Sequence, residues 1–328
     1  MCGLGQVRRR RRGPWYLMAM SVLRIGTCSW KFPSWAGLVY SRADGIDYLA
    51  EYARMYRSVE IDQWFWSLFA PDKIGLPQAE TVAAYLTSVD KDFRFTIKAP
   101  NSITLTHFSG RHGQKGTGPN PYFLSVELFA DFLDRIAPMK PQTAAVMLQF
   151  EYLNRKKMSG LGELCEKLDV FLTALRDRVD PWPIAIELRN PNYLKPAYFD
   201  LLAAHRVPHV YCHGYYLPPA PDVYRQVSAQ LGDRLPAPGV LRLLGPDRGG
   251  IEKATGRKWN AIVAPKDNEL AGIADMALDM LARGLDVYVN VNNHYEGSAP
   301  LTIEKLERVV HKGRPERPGG DPRRQLSS

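Results

Sequence analysis

Carboxylates, cations and amides recur in this chain at or just past the ends of short hydrophobic runs: Glu60, Asp62, Lys98, Gln149, Glu187, Arg189, His213, Arg242, Asn292 and Asn293. These are the side chains of proton transfer and anion binding. Glu60 and Glu187 could act as general acid and base, and His213 could do so near neutral pH. Lys98, Arg189 and Arg242 would suit a phosphate or a carboxylate, the arginines through their two-pronged geometry.

The runs that carry them read RIGTCSW (24–30), SVEID (58–62), FRFTIK (93–98), AVMLQF (145–150), IAIELR (184–189), HVYCH (209–213), VLRLL (240–244) and VYVNVNN (287–293). Short β-branched and aromatic runs separated by helical patterns predict parallel strands in βα units. Eight such units predict an α/β (β/α)8 TIM barrel, a single domain over 23–312 with long loops at the C-terminal face of the strands. Helical periodicity is clearest over 45–57, 125–136, 161–175, 268–282 and 300–310. Three connections exceed simple turns: 103–122, with a Gly-rich basic stretch, the Pro-rich 214–239, and 245–268. All follow predicted strand ends, where barrels carry specificity loops. The order Lys115–Gly116–Thr117 breaks the Walker A pattern.

A period of two assigns the inward row. It predicts Glu60 and Asp62 inward in the second strand, Thr96 and Lys98 in the third, and Met147 and Gln149 in the fourth. Ala185, Glu187 and Arg189 follow in the fifth, Tyr211 and His213 in the sixth, Arg242 in the seventh, and Tyr288, Asn290 and Asn292 in the eighth. One barrel mouth then collects the charged groups. Uncompensated buried charge is costly, so either they neutralise one another as a polar plug or they are held for a ligand. Barrel interiors are ordinarily filled by branched apolar side chains, which favours a site. Trp30, Trp35, Trp64 and Trp66 could stack on a base or sugar, packing being the plainer role. A metal held by Glu60, Glu187, His213 and His294 is the alternative chemistry. No HxH, HExxH or DxD spacing supports it, the nearby cations oppose it, and no cofactor is expected. Cys28 and Ser29 have no base paired to them by motif.

The four cysteines are scattered without a CxxC pair, which suits reduced thiols and a cytoplasmic protein. No apolar run is long enough to span a membrane. Of the net charge of +9, five come from Arg8–Arg12, so the barrel itself is only mildly basic. Residues 1–22 are expected to form a disordered basic extension and 313–328 a disordered polar tail. The arginine run followed by 15–23 is similar to a short signal peptide but lacks a clear cleavage site, and starting at Met18 or Met20 would remove it.

The strings IGTCSWKFPSWAGLVY, SVEIDQWFW, FRFTIKAPNSITLTH, IAIELRNPNY and VNVNNHYEGSAP, in this order, resemble the YecE-like family of TIM barrels, a domain of unknown function (DUF72). The resemblance runs from Leu23 to Val310 and implies the barrel fold with a site at the strand ends. Gly26, Thr27, Trp30, Glu60, Lys98, Ala99, Pro100, Glu187, Arg189, Arg242, Asn292, Asn293 and Gly297 match its blocks. Asp62 stands where the family usually has Asn, Trp64 where Thr is common, and Leu244 where His often follows the arginine. QFEYLN replaces the usual Gln-Leu-Pro-Pro.

The resulting expectation is an enzyme acting on a small anionic molecule, with Glu60, Glu187 and His213 catalytic. Trp30, Asp62, Lys98, Gln149, Arg189, Arg242, Asn292 and Asn293 would bind substrate. A nucleic-acid-binding or processing barrel and a non-catalytic ligand-binding barrel are the alternatives.

Overall fold

The computed structural model describes residues 21–70, 72–108 and 118–313. The predicted extension 1–22 and tail 313–328 lie almost wholly outside these residues, as does the centre of the Gly-rich basic stretch. Strands β1 (Leu23–Cys28), β2 (Ser58–Ile61), β3 (Arg94–Lys98), β4 (Thr143–Gln149), β5 (Ile184–Glu187), β6 (Val210–Gly214), β7 (Gly239–Gly245) and β8 (Val287–Val291) form one sheet. Its order is β6-β7-β8-β1-β2-β3-β4-β5, and every pairing is parallel. A parallel bridge from Ile186 to His209, with Ile186 N donating to Pro208 O at 3.0 Å, joins β5 to β6. The ring is a TIM barrel, as the alternating pattern requires.

Helices α1 (Tyr48–Met55), α2 (Ala79–Thr87), α3 (Val126–Arg135), α4 (Leu161–Arg178), α5 (Pro196–Ala204), α6 (Ala220–Leu231), α7 (Arg248–Thr255), α8 (Asp267–Ala282) and α9 (Ala299–Gly313) cover the outside. Local chemistry sets several of their starts. Asp47 accepts from Leu49 N and Ala50 N, Ser125 from Leu128 N, and Asp247 from Gly250 N. Each satisfies amides that a helix start leaves open. Two of the long connections are therefore not loops. The Pro-rich one contains α6, started by Pro219 and Ala220–Pro221, and 245–268 contains α7, closed by Gly256 at φ 58°.

The outward rows of the strands, with Val59, Ile61, Phe95, Ile97, Val146, Leu148, Leu241 and Val289, pack against the helices in the main core. Each such fully buried side chain contributes about 1.5–3 kcal/mol. Tyr52 of α1 ties helix to sheet: its hydroxyl accepts from Thr27 N at 2.9 Å and donates to Ser58 O at 3.0 Å. A smaller apolar cluster, Ala145, Met147, Ala185, Val210, Cys212, Val240 and Leu244, fills the lumen along β4–β7. The register between β6 and β7 shifts after His213, bringing Gly214 against Gly245. A Cβ on Gly214 would lie 2.6 Å from Gly245 N, and Gly245 has φ 76°, so glycine is required at that contact. Among the described residues no helix is long and apolar enough to cross a membrane.

Candidate functional site at the barrel mouth

Arg242 of β7 reaches across the lumen and organises the polar cluster. Its Nε donates to Glu60 Oε2 at 2.7 Å and its Nη2 to Glu60 Oε1 at 2.8 Å, a two-pronged clamp on a residue of β2. Its Nη1 donates to Glu187 Oε2 at 2.7 Å and to Gln149 Oε1 at 3.2 Å. Both glutamates are 0% exposed and Arg242 is 2% exposed. Burial pushes the Glu187 carboxyl up, but Arg189 and Arg242 outweigh it and hold it down at about 2. Glu187 is therefore an anion at any physiological pH.

Two further cations stand at the opening. Lys98 Nζ lies 3.6 Å from Glu60 Oε1 and 5.0 Å from the centre of the Phe65 ring. Arg189 donates through Nε to Glu187 Oε1 at 2.5 Å, and its guanidinium covers the Tyr215 ring at 4.8 Å. Among the described residues, no acceptor lies within hydrogen-bonding distance of Lys98 Nζ or of the two terminal nitrogens of Arg189. Asp62 completes the group. Burial pushes its carboxyl above the usual range, with Lys98 opposing and Glu60 reinforcing the shift. Ser29 holds φ 75° at the end of β1, and its hydroxyl accepts from Gln63 Nε2 at 3.5 Å. Tyr215 has φ 54° at the end of β6. Left-handed non-glycine residues persist only where their surroundings hold them, and they gather at functional sites.

The structure thus brings together Glu60, Asp62, Lys98, Gln149, Glu187, Arg189 and Arg242. Asn290 lies inside as expected, accepting from Thr96 Oγ1 at 3.2 Å, while its Nδ2 finds no acceptor among the described residues.

His213 does not join them. The lumen side of β6 carries Val210 and Cys212, and Tyr211 and His213 face the helices. Ala220 N donates to His213 Nδ1 at 3.2 Å, which makes Nδ1 the acceptor and leaves Nε2 to donate to Glu269 Oε2 at 2.8 Å. The ring is locked between α6 and α8. Trp30 is 4% exposed, its ring edge-on to Tyr85 of α2 at 5.0 Å, so it packs rather than stacks on a ligand; Trp35 is fully buried. Asn293 Oδ1 accepts from Ala299 N at 2.9 Å and caps α9. Asn292 Oδ1 is taken by the amide and ring of His294, at 2.9 and 2.5 Å. His294 turns its Nε2 to Glu252, 3.1 Å away. Of the residues of the metal alternative, Glu60 and Glu187 share Arg242, whereas His213 and His294 pair with Glu269 and Glu252 away from them, and among the described residues no group of three His, Cys, Asp or Glu is placed to hold a metal ion. Sequence reasoning set Cys28 aside for want of a paired base, although its Sγ lies 3.6 Å from Glu60 Oε2, and it missed the tyrosines at the rim. Cys28 was legible as the residue two after Gly26 on an inward row.

Anion sites of TIM barrels often use the start of a short helix after the seventh or eighth strand. Here α7 holds that place, but the Asp247 carboxylate already stands at its start, accepting from Gly250 N. Sizeable recesses lie elsewhere: one of about 340 Å³ beside Phe123, Val126 and Phe171, and one of about 530 Å³ at the opposite end of the barrel beside Arg94 and Tyr288.

The profile described as "Protein of unknown function DUF72" matches residues 24–325. The UPF0759 protein YecE of Escherichia coli strain K12 is 29% identical over 129 residues, 39% of this chain and 37% of that relative. That match spans little more than a third of the relative's length. A DUF72 family protein of Enterococcus faecalis superposes with a TM-score of 0.62 at 20% identity, covering 90% of this chain and 99% of the other. One from Thermotoga maritima gives 0.57 at 20% identity, covering 89% and 98%. A barrel of this topology, matched over nearly its whole described length, belongs to the DUF72 family of YecE-like proteins.

Proposed function

We propose that the protein is an enzyme that binds a small phosphate- or carboxylate-bearing molecule at the barrel mouth, seating the anion between Lys98 and Arg189. One observation carries this reading: both cations sit in a sheltered opening, their side chains 12% and 16% exposed, and among the described residues each keeps donors beyond its one carboxylate contact, Lys98 with Glu60 and Arg189 with Glu187. The carboxylates beside them are already saturated by Arg242. Three cations, Lys98, Arg189 and Arg242, face three carboxyls, Glu60, Asp62 and Glu187. When Asp62 keeps its proton the cluster carries one positive charge in excess, which an incoming anion balances. Asp62 is then the group suited to proton transfer, being sheltered and shifted toward neutrality. Glu187 stays ionised and orders the arginines. His213, locked in the helix layer, takes no part.

A second reading has its own support. The saturation of Glu60 and Glu187 is what a polar plug without catalysis would show. Calorimetric and thermal-shift titrations with inorganic phosphate separate the two. An anion site predicts a rise in melting temperature that saturates with phosphate and is lost in Lys98→Met and in Arg189→Met. A wild type indifferent to phosphate and to phosphorylated metabolites, with Asp62→Asn altering stability alone, would leave the plug.

A further inference from the structure

The mouth has an aromatic shelf on the Arg189 side. Tyr152 follows β4 and Tyr216 follows β6, and their rings meet edge to face at 5.9 Å. Strand β5 lies between β4 and β6 in the barrel, so the pair arches over the strand that delivers Glu187 and Arg189. Tyr152 is 49% exposed and Tyr216 60% exposed. Most aromatic rings of this protein are buried, so two touching tyrosines turned to solvent beside a cationic opening are a distinct surface. Tyr215, the neighbour of Tyr216, already lies under the Arg189 guanidinium. The left-handed backbone at Tyr215 sends consecutive rings to different places, one beneath the cation and one onto the shelf.

Taking the anion site above as its premise, we infer that the ligand is a nucleoside phosphate, with its phosphate at Arg189 and Lys98 and its base lying on Tyr152 and Tyr216. Flat rings stack on tyrosine whatever their hydrogen-bonding pattern, and the phenolic hydroxyls remain free to meet polar edges of a base. A sugar phosphate alone would use the cations and leave the shelf bare.

The test compares adenosine 5′-monophosphate, ribose 5-phosphate and inorganic phosphate by calorimetry on the full chain. Adenosine 5′-monophosphate should bind about tenfold or more tightly than ribose 5-phosphate. Tyr216→Ala and Tyr152→Ala should erase that preference while leaving ribose 5-phosphate binding unchanged, and Tyr216→Phe should keep most of it. Both tyrosines are half exposed, so the variants should retain the wild-type melting temperature. Equal affinity for the two sugar phosphates, or a preference that survives both alanine variants, overturns the nucleoside assignment while the anion site stands. No binding of any of the three defeats both readings together. A short oligothymidylate binding more than about tenfold tighter than the mononucleotide, with affinity falling steeply in salt, overturns the mononucleotide in favour of a polymer.

Discussion

Replacing Arg242 with methionine removes the centre of the mouth while keeping much of its volume. The variant loses the two bonds to Glu60 and the bonds to Glu187 and Gln149. Glu60 then retains Lys98 at 3.6 Å and the Cys28 thiol at 3.6 Å, and Glu187 retains Arg189. Breaking a buried ion pair from one side typically costs about 3–5 kcal/mol, because a charge is left behind without compensation. Two carboxylates are left here, each with a remaining cation, so the same range, about 4 kcal/mol, applies at neutral pH. That corresponds to a fall in melting temperature of roughly 10 °C. Protonation of the stranded carboxylates relieves the penalty, so the deficit should shrink as the pH is lowered toward 5. Adding Glu60→Gln to Arg242→Met should recover part of the loss, since Glu187 keeps Arg189 as its partner and Lys98 keeps the Asp62 carboxyl beside it. Urea unfolding at pH 7 and pH 5 measures both effects. A single variant destabilised by less than about 1 kcal/mol, or a double variant as unstable as the single one, would refute the account of Arg242 as the group that makes the two glutamates tolerable.

Two other perturbations test the scaffold. His209 sits among Tyr198, Phe199 and Tyr211, and burial holds its ring down at about 4 against an unfolded value near 6.5. Between these pH values the unfolded chain takes up a proton that the folded protein refuses. Stability is therefore full above pH 6.5 and falls as pH drops toward 4, by about 3 kcal/mol in all. In His209→Gln this slope should vanish; an unchanged difference between variant and wild type from pH 7 to 4.5 would contradict it. Gly245→Ala places a Cβ 2.2 Å from His294 O at φ 76° and should destabilise by more than about 2 kcal/mol, measured by urea unfolding. A neutral result would mean that the β7 and β8 ends are not packed as described.

The barrel was legible because parallel strands covered by helices leave a repeated signal, and so were all seven clustered mouth residues, five on strands (Glu60, Lys98, Gln149, Glu187 and Arg242) and two just past strand ends (Asp62 and Arg189). The sixth strand shows where period-two reasoning fails. Expectation placed Tyr211 and His213 inside because they are the polar members of HVYCH. The structure puts Val210 and Cys212 there, because both faces of a parallel barrel strand are buried and polarity no longer marks the open side. The outer face accepts a histidine at low cost once the start of α6 and Glu269 supply its partners. Asn292 and Asn293 misled for a similar reason: a side chain that holds a turn, as Asn292 does through His294, or a helix start, as Asn293 does through Ala299, looks in sequence like one offered to a ligand. Helices α6 and α7 were hidden because proline and glycine at their ends read as loop punctuation.

The reach of Arg242 follows from what stands on the strands it crosses. Along the ring, Glu60 lies beyond β8 and β1 from β7, and Glu187 lies beyond β6. The inward residues at this level on β1 and β6 are Cys28 and Cys212, both small, so the guanidinium has room to touch carboxylates on opposite walls. Arg242 Nη2 passes 3.9 Å from Cys28 Sγ. Burial pushes the Cys28 thiol well up, with the Glu60 charge adding to it, and pushes Cys212 up to about 12, with Glu187 adding there. Both sulfurs therefore stay protonated and neutral, and neither competes with the glutamates for the guanidinium. Larger apolar residues at these places would crowd the arginine off its partners, and ionisable oxygen acids would divide its charge. The thiols thus act as compact neutral spacers between Arg242 and its two carboxylates.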